Sequence, residues 1–289
     1  MVPEVTIEQR LVPVRMPALL VDGDVTLQAD AHVSGSQGSV HANGDLTVAT
    51  PTVRVDRRAT ASGFIVADDT WSADEMDAGQ MPRMPIPQVQ AADFQAEADY
   101  SLRADGHVRD RNGVFDCDSG ADGTGCRDTI PPGGAAPLGW VFSPTAGWSL
   151  VLDHAVEATF YSDTSLTIAA SPGAPGAPFR LSLIVEGDID VVGTPTLRPA
   201  SAIGIQFIAD RDIRVGGTAG HSAFEGGVLV GEQLALLGDV LLAGQAVVRN
   251  ASSVSTLVAA TVMGDSAEIS FNGTVETVAY IVTGWRENP

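Results

Sequence analysis

The sequence predicts an all-β protein, a right-handed parallel β-helix (solenoid) with an irregular acidic loop inserted into it. One short sequence motif, which we call the phrase, recurs at a regular step. It consists of an apolar entry, a polar corner with Gly or Asp, and an apolar-polar-apolar strand. The composition is 44% hydrophobic but only 6% aromatic, with 31 glycines, which suits a narrow core of small side chains. Solenoids produce such repeats because each coil buries its apolar face only against the next coil.

The phrase is clearest between residues 161 and 236. It reads YSDTSLTI at 161–168, IVEGDIDV at 184–191, IADRDIRV at 208–215 and LVGEQLAL at 229–236. The equivalent residues Leu166, Ile189, Ile213 and Leu234 are separated by 23, 24 and 21 residues, the differences between their numbers. A β-sandwich, with strands every 8 to 12 residues, explains the alternation but not the recurrence of the longer phrase.

The first coils are predicted within residues 1–68. LVDGDVTL at 20–27 and HANGDLTV at 41–48 repeat the phrase, with Val25 and Leu46 separated by 21 residues. Residues 1–15 are expected to be an extended lead-in or an edge strand. The main coils are predicted within 150–289, where a C-terminal cap should close the core.

Residues 69–149 interrupt the repeat. Their first part is acidic and then contains Pro82, Pro85 and Pro87, which exclude a central strand and favour an insertion or a crossing linker. The best helical stretch of the chain, at 91–100, is short. The rest of the segment is the irregular acidic insertion.

Asp and Gly are concentrated at residues 105–128 of this insertion. Hard cations take six to eight oxygen ligands, and glycines allow the tight turns that bring those ligands together. The sequence therefore suggests a Ca²⁺-stabilised loop, although no Glu completes an EF-hand; the alternative is a solvated loop held by side-chain-to-backbone turns. The candidate ligands are Asp110, Asn112, Asp116, Asp118 and Asp122.

The chain has two cysteines, Cys117 and Cys126, in this same polar loop. Their spacing fits neither a redox C-x-x-C motif nor a zinc site, so we expect a disulfide, with two reduced thiols as the alternative. A disulfide implies an oxidising compartment, and we expect an exported protein of the cell envelope or exterior.

Charge and hydropathy limit the partners. The net charge is −20, from 36 acidic residues and 16 arginines with no lysine. Such a surface repels phosphate backbones, so we expect no nucleic acid partner. No stretch is long and apolar enough to predict a membrane span, and no signal peptide is recognisable.

Four aspartates, Asp24, Asp45, Asp188 and Asp212, share one position of the phrase. We expect each to cap its own corner by accepting backbone N–H groups. The alternative is a line of carboxylates that binds a cation or a polysaccharide, with Arg211 and Arg214 close by. We expect these arginines to form salt bridges at the corners.

Residues 160–246 resemble the repeat domain of bacterial pilus-assembly proteins of the PilX type and related envelope proteins. Residues 18–46 also fit this pattern. Proteins of this type ordinarily begin with an apolar pilin-like helix, and the resemblance brings no catalytic residues with it. The matching positions are Tyr161, Ser171–Gly173, Glu186–Ile189, Ala209–Ile213 and Gly227–Gln233.

Together these features predict a non-enzymatic structural or adhesive component of a type IV pilus-like or cell-envelope assembly. The partners would be other pilus or envelope proteins, further copies of the chain, or surface glycans. One alternative is a carbohydrate-active enzyme, a polysaccharide lyase or hydrolase, with an acidic groove along the solenoid. Another is a self-assembling filament subunit that stacks through uncovered terminal coils.

Overall fold

A computed structural model of the chain describes residues 16–78, 81–250 and 257–272. It confirms the predicted fold class: the chain is nearly all-β, and stacked parallel strands form a β-solenoid of about ten turns. The candidate edge strand at residues 1–15 lies outside the described residues.

Twenty-six short strands and one 3-10 helix, Ala91–Glu97, make up the regular structure of the described residues. The strands are β1 (Leu19–Val21), β2 (Val25–Leu27), β3 (His32–Ser34), β4 (Val40–Ala42), β5 (Leu46–Val48), β6 (Arg54–Val55), β7 (Arg58–Ala61), β8 (Ile65–Val66), β9 (Glu75–Ala78), β10 (Tyr100–Leu102), β11 (His107–Asp110), β12 (Asp116–Asp118), β13 (Trp140–Ser143), β14 (Gly147–Leu150), β15 (Ala158–Ser162), β16 (Leu166–Ile168), β17 (Phe179–Val185), β18 (Ile189–Val191), β19 (Thr196–Arg198), β20 (Ile205–Ala209), β21 (Ile213–Glu225), β22 (Gly227–Val230), β23 (Leu234–Ala243), β24 (Ala246–Val248), β25 (Val262–Met263) and β26 (Glu268–Ser270).

Each complete coil contributes one strand segment to each of three sheets. Sheet 1 runs β12-β11-β10-β15-β17-β20-β22-β24-β1-β4-β7-β9. Sheet 2 runs β13-β14-β16-β18-β21-β23-β25-β2-β5-β8. Sheet 3 runs β17-β19-β21-β23-β26-β3-β6, and the long strands β17, β21 and β23 turn a corner and serve two sheets each.

The recurring phrase aligns in register, as the sequence predicts. Leu166 pairs with Ile189, Ile189 with Ile213 and Ile213 with Leu234. All four side chains are buried in the core. Because side chains alternate between the two faces of a strand, these apolar positions form one continuous inward column of sheet 2.

The coils are not stacked in sequence order. β1 lies between β24 and β4, β2 lies between β25 and β5, and β3 lies between β26 and β6. In space, the solenoid therefore runs through residues 99–272 first and continues through 16–78. The last described strand, β26, lies in the interior of the stack, and the C-terminal part of the expected cap, residues 273–289, is outside the described residues.

Residues 81–98, which we call the strap, return along the outside of sheet 1. Asn43 holds its start: the Asn43 amide donates to the Met84 carbonyl oxygen (2.9 Å), and the Asn43 side-chain oxygen accepts from the Met84 N–H (2.7 Å). Further along, the Arg249 guanidinium donates to the Val89 carbonyl oxygen at 2.9 Å. The strap thus lies across several coils of the solenoid.

An apolar row on the outer side of sheet 1 lies beneath the strap. Ile86, Val89 and Phe94 of the strap pack against this row. Beyond Met84 the same row continues as the polar residues His41 and Thr60, which are hydrogen-bonded to each other (2.7 Å). The residues of the row under the strap are Tyr161, Ile184, Ile208, Leu229, Val247 and Leu20.

The corner aspartates accept hydrogen bonds from backbone N–H groups of the neighbouring coil, and not from those of their own corner as expected. The Asp24 carboxylate accepts from the Asp45 N–H (2.8 Å), and the Asp45 carboxylate accepts from the Phe64 N–H (2.7 Å). Asp188 accepts in the same way from the Asp212 N–H (3.2 Å). We call this series the corner ladder. It ties one coil to the next at a corner, where no strand pairing exists.

Asp212 is the most buried member of the corner ladder, with 0% exposure. One carboxylate oxygen accepts from the Gln233 N–H (2.9 Å), and the other accepts from the N–H groups of Leu257 (3.2 Å) and Val258 (3.0 Å). A buried donor that loses its partner costs about 1 to 3 kcal/mol.

We expect Asp212→Ala to lower the free energy of unfolding by about 3 kcal/mol, because it leaves buried N–H groups without their acceptor. Urea unfolding followed by circular dichroism measures this change. The matched control is Asp30→Ala, which removes an exposed carboxylate and should change stability by less than about 0.5 kcal/mol. Equal stability of the two variants would contradict a structural role for the corner ladder.

Candidate functional site: the disulfide-clamped cap

Residues 99–150 close one end of the solenoid and form a cap with two small antiparallel units. β10, β11 and β12 extend sheet 1, and β10 pairs in parallel with β15 of the first coil. The hairpin of β13 and β14 extends sheet 2, where β14 pairs in parallel with β16. The cap is therefore continuous with the solenoid sheets, although its sequence lacks the repeat.

Cys117 and Cys126 form a disulfide, with Cα atoms 5.7 Å apart. This Cα separation lies within the ordinary range for disulfides. Cys117 is 8% exposed and Cys126 is fully buried, and both belong to the core cluster of the solenoid. The disulfide thus links strand β12 to the following loop and anchors that loop in the core.

Aromatic side chains fill the junction between cap and solenoid. Trp140 packs edge-on against Phe160 with ring centroids 5.2 Å apart, and Trp148 packs against Phe142 at 4.9 Å. The indole N–H of Trp148 donates to the Arg103 carbonyl oxygen (3.0 Å). Both tryptophans are 0% exposed, so they contribute packing and not a sugar-binding surface.

The candidate calcium ligands lie on the outside of the cap, where several already hold local turns. One Asp110 oxygen accepts from the N–H groups of Val114 (2.8 Å) and Phe115 (3.0 Å). Asp118 accepts from the Gly120 N–H (2.9 Å), and Asp122 accepts from the Thr124 N–H (3.0 Å). Within the described residues, no group of three or more His, Cys, Asp or Glu residues is placed to hold a metal ion. Calcium binding stays a prediction.

Asp116 takes part in a charged cluster across strands β11 and β12. Its carboxylate lies 2.8 Å from Nδ1 of His107 and accepts from Nε of Arg109 at 3.2 Å. The hydrogen bond to Asp116 raises the pKa of His107. The same bond lowers the pKa of Asp116. Asn112, the remaining candidate ligand, is exposed in the turn between β11 and β12.

The two arginines near the corner ladder form salt bridges, as expected. Arg214 donates two hydrogen bonds to Asp190 of the preceding coil: Nε to Oδ1 at 2.8 Å and Nη2 to Oδ2 at 2.5 Å. Arg211 lies 3.6 Å from a carboxylate oxygen of Asp188 and 3.9 Å from one of Glu232. Burial raises the pKa of Glu232, and the nearby Asp212 carboxylate adds to this effect. These charged groups link successive coils.

A recess of about 500 Å³ lies on the outer side of sheet 1 near the end opposite the cap. His41 forms part of its lining; Nε2 of His41 lies 3.0 Å from the Asn43 side-chain oxygen, and burial lowers the pKa of His41. Arg57 and Arg58, also in the lining, face Asp74 (3.8 Å) and Glu75 (3.5 Å). This recess could not be predicted from the sequence, since its walls come from separate coils and the strap.

No helix among the described residues is both long and apolar enough to cross a membrane.

We expect reduction of the Cys117–Cys126 disulfide to destabilise the cap by about 2.5 kcal/mol, the chain-entropy value for a loop of this length. Thermal unfolding with and without reductant measures the change as a lower melting temperature. The double variant Cys117→Ser, Cys126→Ser is the control, and its melting temperature should not respond to reductant. An unchanged melting temperature of the wild-type chain on reduction would contradict a stabilising role for the disulfide.

Comparisons with known proteins give only distant similarities. Neither a family model nor a curated protein sequence matches the chain. Among solved structures, the competence-associated pilin ComZ from Thermus thermophilus is 10% identical with a TM-score of 0.44, covering 89% of this chain and 68% of the pilin. An ice binding protein from an Antarctic Biological Consortium is 14% identical with a TM-score of 0.34, covering 94% of this chain and 96% of its own. Both similarities are too distant to identify a function for this chain.

Proposed function

We propose that the protein is a non-enzymatic structural or adhesive component of a type IV pilus-like or cell-envelope assembly. The observation that carries this proposal is the combination of a regular solenoid with one irregular, disulfide-clamped cap. The solenoid acts as a rigid spacer, and the cap is the contact surface at its end.

The rigidity of the spacer follows from how the coils are joined. Each coil pairs with its neighbours in up to three sheets, and the corner ladder adds side-chain hydrogen bonds between them. Ten turns at about 4.8 Å per turn give a rod on the order of 50 Å long. A rod of this kind holds a terminal contact surface at a fixed distance from its attachment point.

The disulfide supports a location outside the cytoplasm. Disulfides persist in oxidising compartments and are rare in the reducing cytosol. Both sulfur atoms are largely buried, so the bond has a structural place in the cap.

The surface of the cap is suited to binding a partner. It exposes Val114 (83%) and Ile130 (56%) among acidic side chains. Contiguous apolar patches rimmed by polar residues mark interaction sites, and we propose that Val114 and Ile130 belong to such a patch. Pilus or envelope proteins and surface glycans are the partners we propose for this end.

The alternative of a carbohydrate-active enzyme draws less support from the geometry. Glycosidases use two carboxyl groups that flank the scissile bond. In the described solenoid, the corner carboxylates of Asp24, Asp45, Asp188 and Asp212 accept backbone hydrogen bonds from the next coil. This bonding favours a structural use of these aspartates.

The experiment is complementation of a deletion strain of the source organism, followed by surface labelling of intact cells and an attachment assay. We expect the wild-type chain to be labelled, to carry oxidised cysteines and to restore attachment. The double variant Val114→Asp, Ile130→Asp should fold normally but lower attachment about tenfold, because it adds charge to the contact surface. Val192→Asp, at a 54% exposed position on the side of the rod, is the matched control. Reduced cysteines in a cytoplasmic protein, or normal attachment by the cap variant, would refute the proposal.

We further expect Ca²⁺ to stabilise the cap, because the ion would bind the side-chain oxygens of the acidic loop and hold them together. Millimolar Ca²⁺ should raise the melting temperature by several degrees relative to chelator. The double variant Asp110→Asn, Asp118→Asn should remove this increase, whereas Asp30→Asn should keep it. Equal melting temperatures of the wild-type chain in Ca²⁺ and in chelator would contradict calcium binding.

A further inference from the structure

Two arginines stack on the outer face of sheet 3. Arg180 of β17 and Arg198 of β19 pair in register on adjacent strands. The residues before them, Phe179 and Leu197, are buried in the core, so both arginine side chains lie on the opposite, exposed face. In the part of the chain that the structure describes, neither guanidinium group forms an ion pair or a hydrogen bond. We call these two residues the arginine pair.

The arginine pair is unfavourable for the sheet that carries it, because like charges at directly opposed positions of adjacent strands repel each other. The chain has 36 acidic residues and 16 arginines, so carboxylates are not scarce. Elsewhere in the described sheets, three arginines meet a carboxylate in register on the adjacent strand: Arg58 with Glu75, Arg109 with Asp116 and Arg214 with Asp190. The arginine pair departs from this pattern of opposite charges.

An exposed glutamate lies in register on each side of the arginine pair. The register of β15 with β17 places Glu157 beside Arg180, and the Glu157 carboxylate accepts from the Arg180 backbone N–H at 3.1 Å. The register of β19 with β21 places Glu225 beside Arg198. Neither glutamate forms an ion pair with a guanidinium group of the pair. Four successive coils, stacked about 4.8 Å apart, therefore present one negative, two positive and one negative charge along the rod.

This order of charges selects the chemistry of a ligand. Two adjacent guanidinium groups offer planar sets of N–H donors, which suit a carboxylate or another oxyanion. The flanking glutamates accept hydrogen bonds from hydroxyl groups and repel further negative charge. A molecule with one anionic group between hydroxyl groups satisfies all four side chains. A run of anionic groups, as in an acidic peptide, would instead bring negative charge against Glu157 or Glu225.

We propose that the arginine pair binds an acidic sugar unit of a polysaccharide. The anionic group of the sugar lies between the guanidinium groups of Arg180 and Arg198, and hydroxyl groups on either side donate to Glu157 and Glu225. The strap packs over sheet 1 and not over this face. The site lies on the side of the rod, whereas the proposed contact surface is the cap, so this inference does not depend on the proposed function.

Ligand-observed NMR titration of the full chain with a trisaccharide that has one uronic acid unit between two neutral sugars tests this site. We expect a dissociation constant on the order of 1 mM, since the site is an exposed surface with few contacts. Binding should weaken in high salt, which screens the arginine charges. The same trisaccharide with its carboxyl group reduced to an alcohol should bind at least about tenfold more weakly.

Arg180→Gln and Arg198→Gln should each weaken binding of the acidic trisaccharide about tenfold, because each removes a charged donor. Arg54→Gln is the matched control: Arg54 is an exposed arginine of the same sheet, in β6, and its loss should leave the affinity unchanged. Without sugar, Arg198→Gln should raise the melting temperature at low salt by about 1 to 2 °C, because it removes the repulsion within the pair. A purely structural role of Arg198 would lower the melting temperature instead.

No binding of the acidic trisaccharide up to about 10 mM, or equal binding of its reduced form, would overturn the proposal. Unchanged affinity in both Gln variants, or a loss of affinity in Arg54→Gln, would place the sugar elsewhere and overturn it as well. A hexaglutamate peptide that binds as tightly as the trisaccharide would assign the arginine pair to an acidic protein segment, which also contradicts a sugar site. All of these measurements use the purified chain, so they are independent of the attachment assay.

Discussion

The structure depends on backbone pairing between successive coils. A parallel strand of three residues has little stability alone, and here each strand is stabilised by neighbours above and below it. Such stacking requires equivalent residues of each coil to meet in register, because a shift by one residue would turn the apolar side chains outward. The corner ladder extends the same requirement to the corners, where Asp188 and Asp212 accept hydrogen bonds from the next coil.

Backbone pairing between coils does not depend on the order of the coils along the chain. Any coil of matching cross-section can stack on any other, so residues 16–78 can follow residue 272 in space. The strap is the consequence of this arrangement, because the chain must return along the whole main stack before it can begin the cap. It is held by Asn43, Arg249 and the apolar row beneath it.

The two ends of the solenoid differ in how the outermost coil is covered. At one end, the sequence leaves the repeat, and a disulfide with buried aromatic residues closes the core. At the other, the core column ends at the half-exposed Met76, and Phe64 replaces the usual corner residue. The described residues therefore close the core at the capped end, whereas the edge strands β8 and β9 at the other end each pair on one side only.

The sequence by itself determined the fold class and the local register. The recurrence of Leu166, Ile189, Ile213 and Leu234 reports the spacing of coils directly, because one strand per turn must present the same face to the core. The disulfide was predictable too, since the two cysteines lie close together in a polar loop.

Only the tertiary structure decided the order of the coils and the partners of the corner aspartates. The phrase around Val25 is as compatible with one neighbouring coil as with another, so no local pattern records that Thr26 pairs with Val262. The Asp24 side chain could reach its own corner or the next, and the 4.8 Å stacking distance places the next coil's N–H within hydrogen-bonding range. Sequence patterns describe one coil at a time, whereas stacking order and end closure are properties of the assembled column.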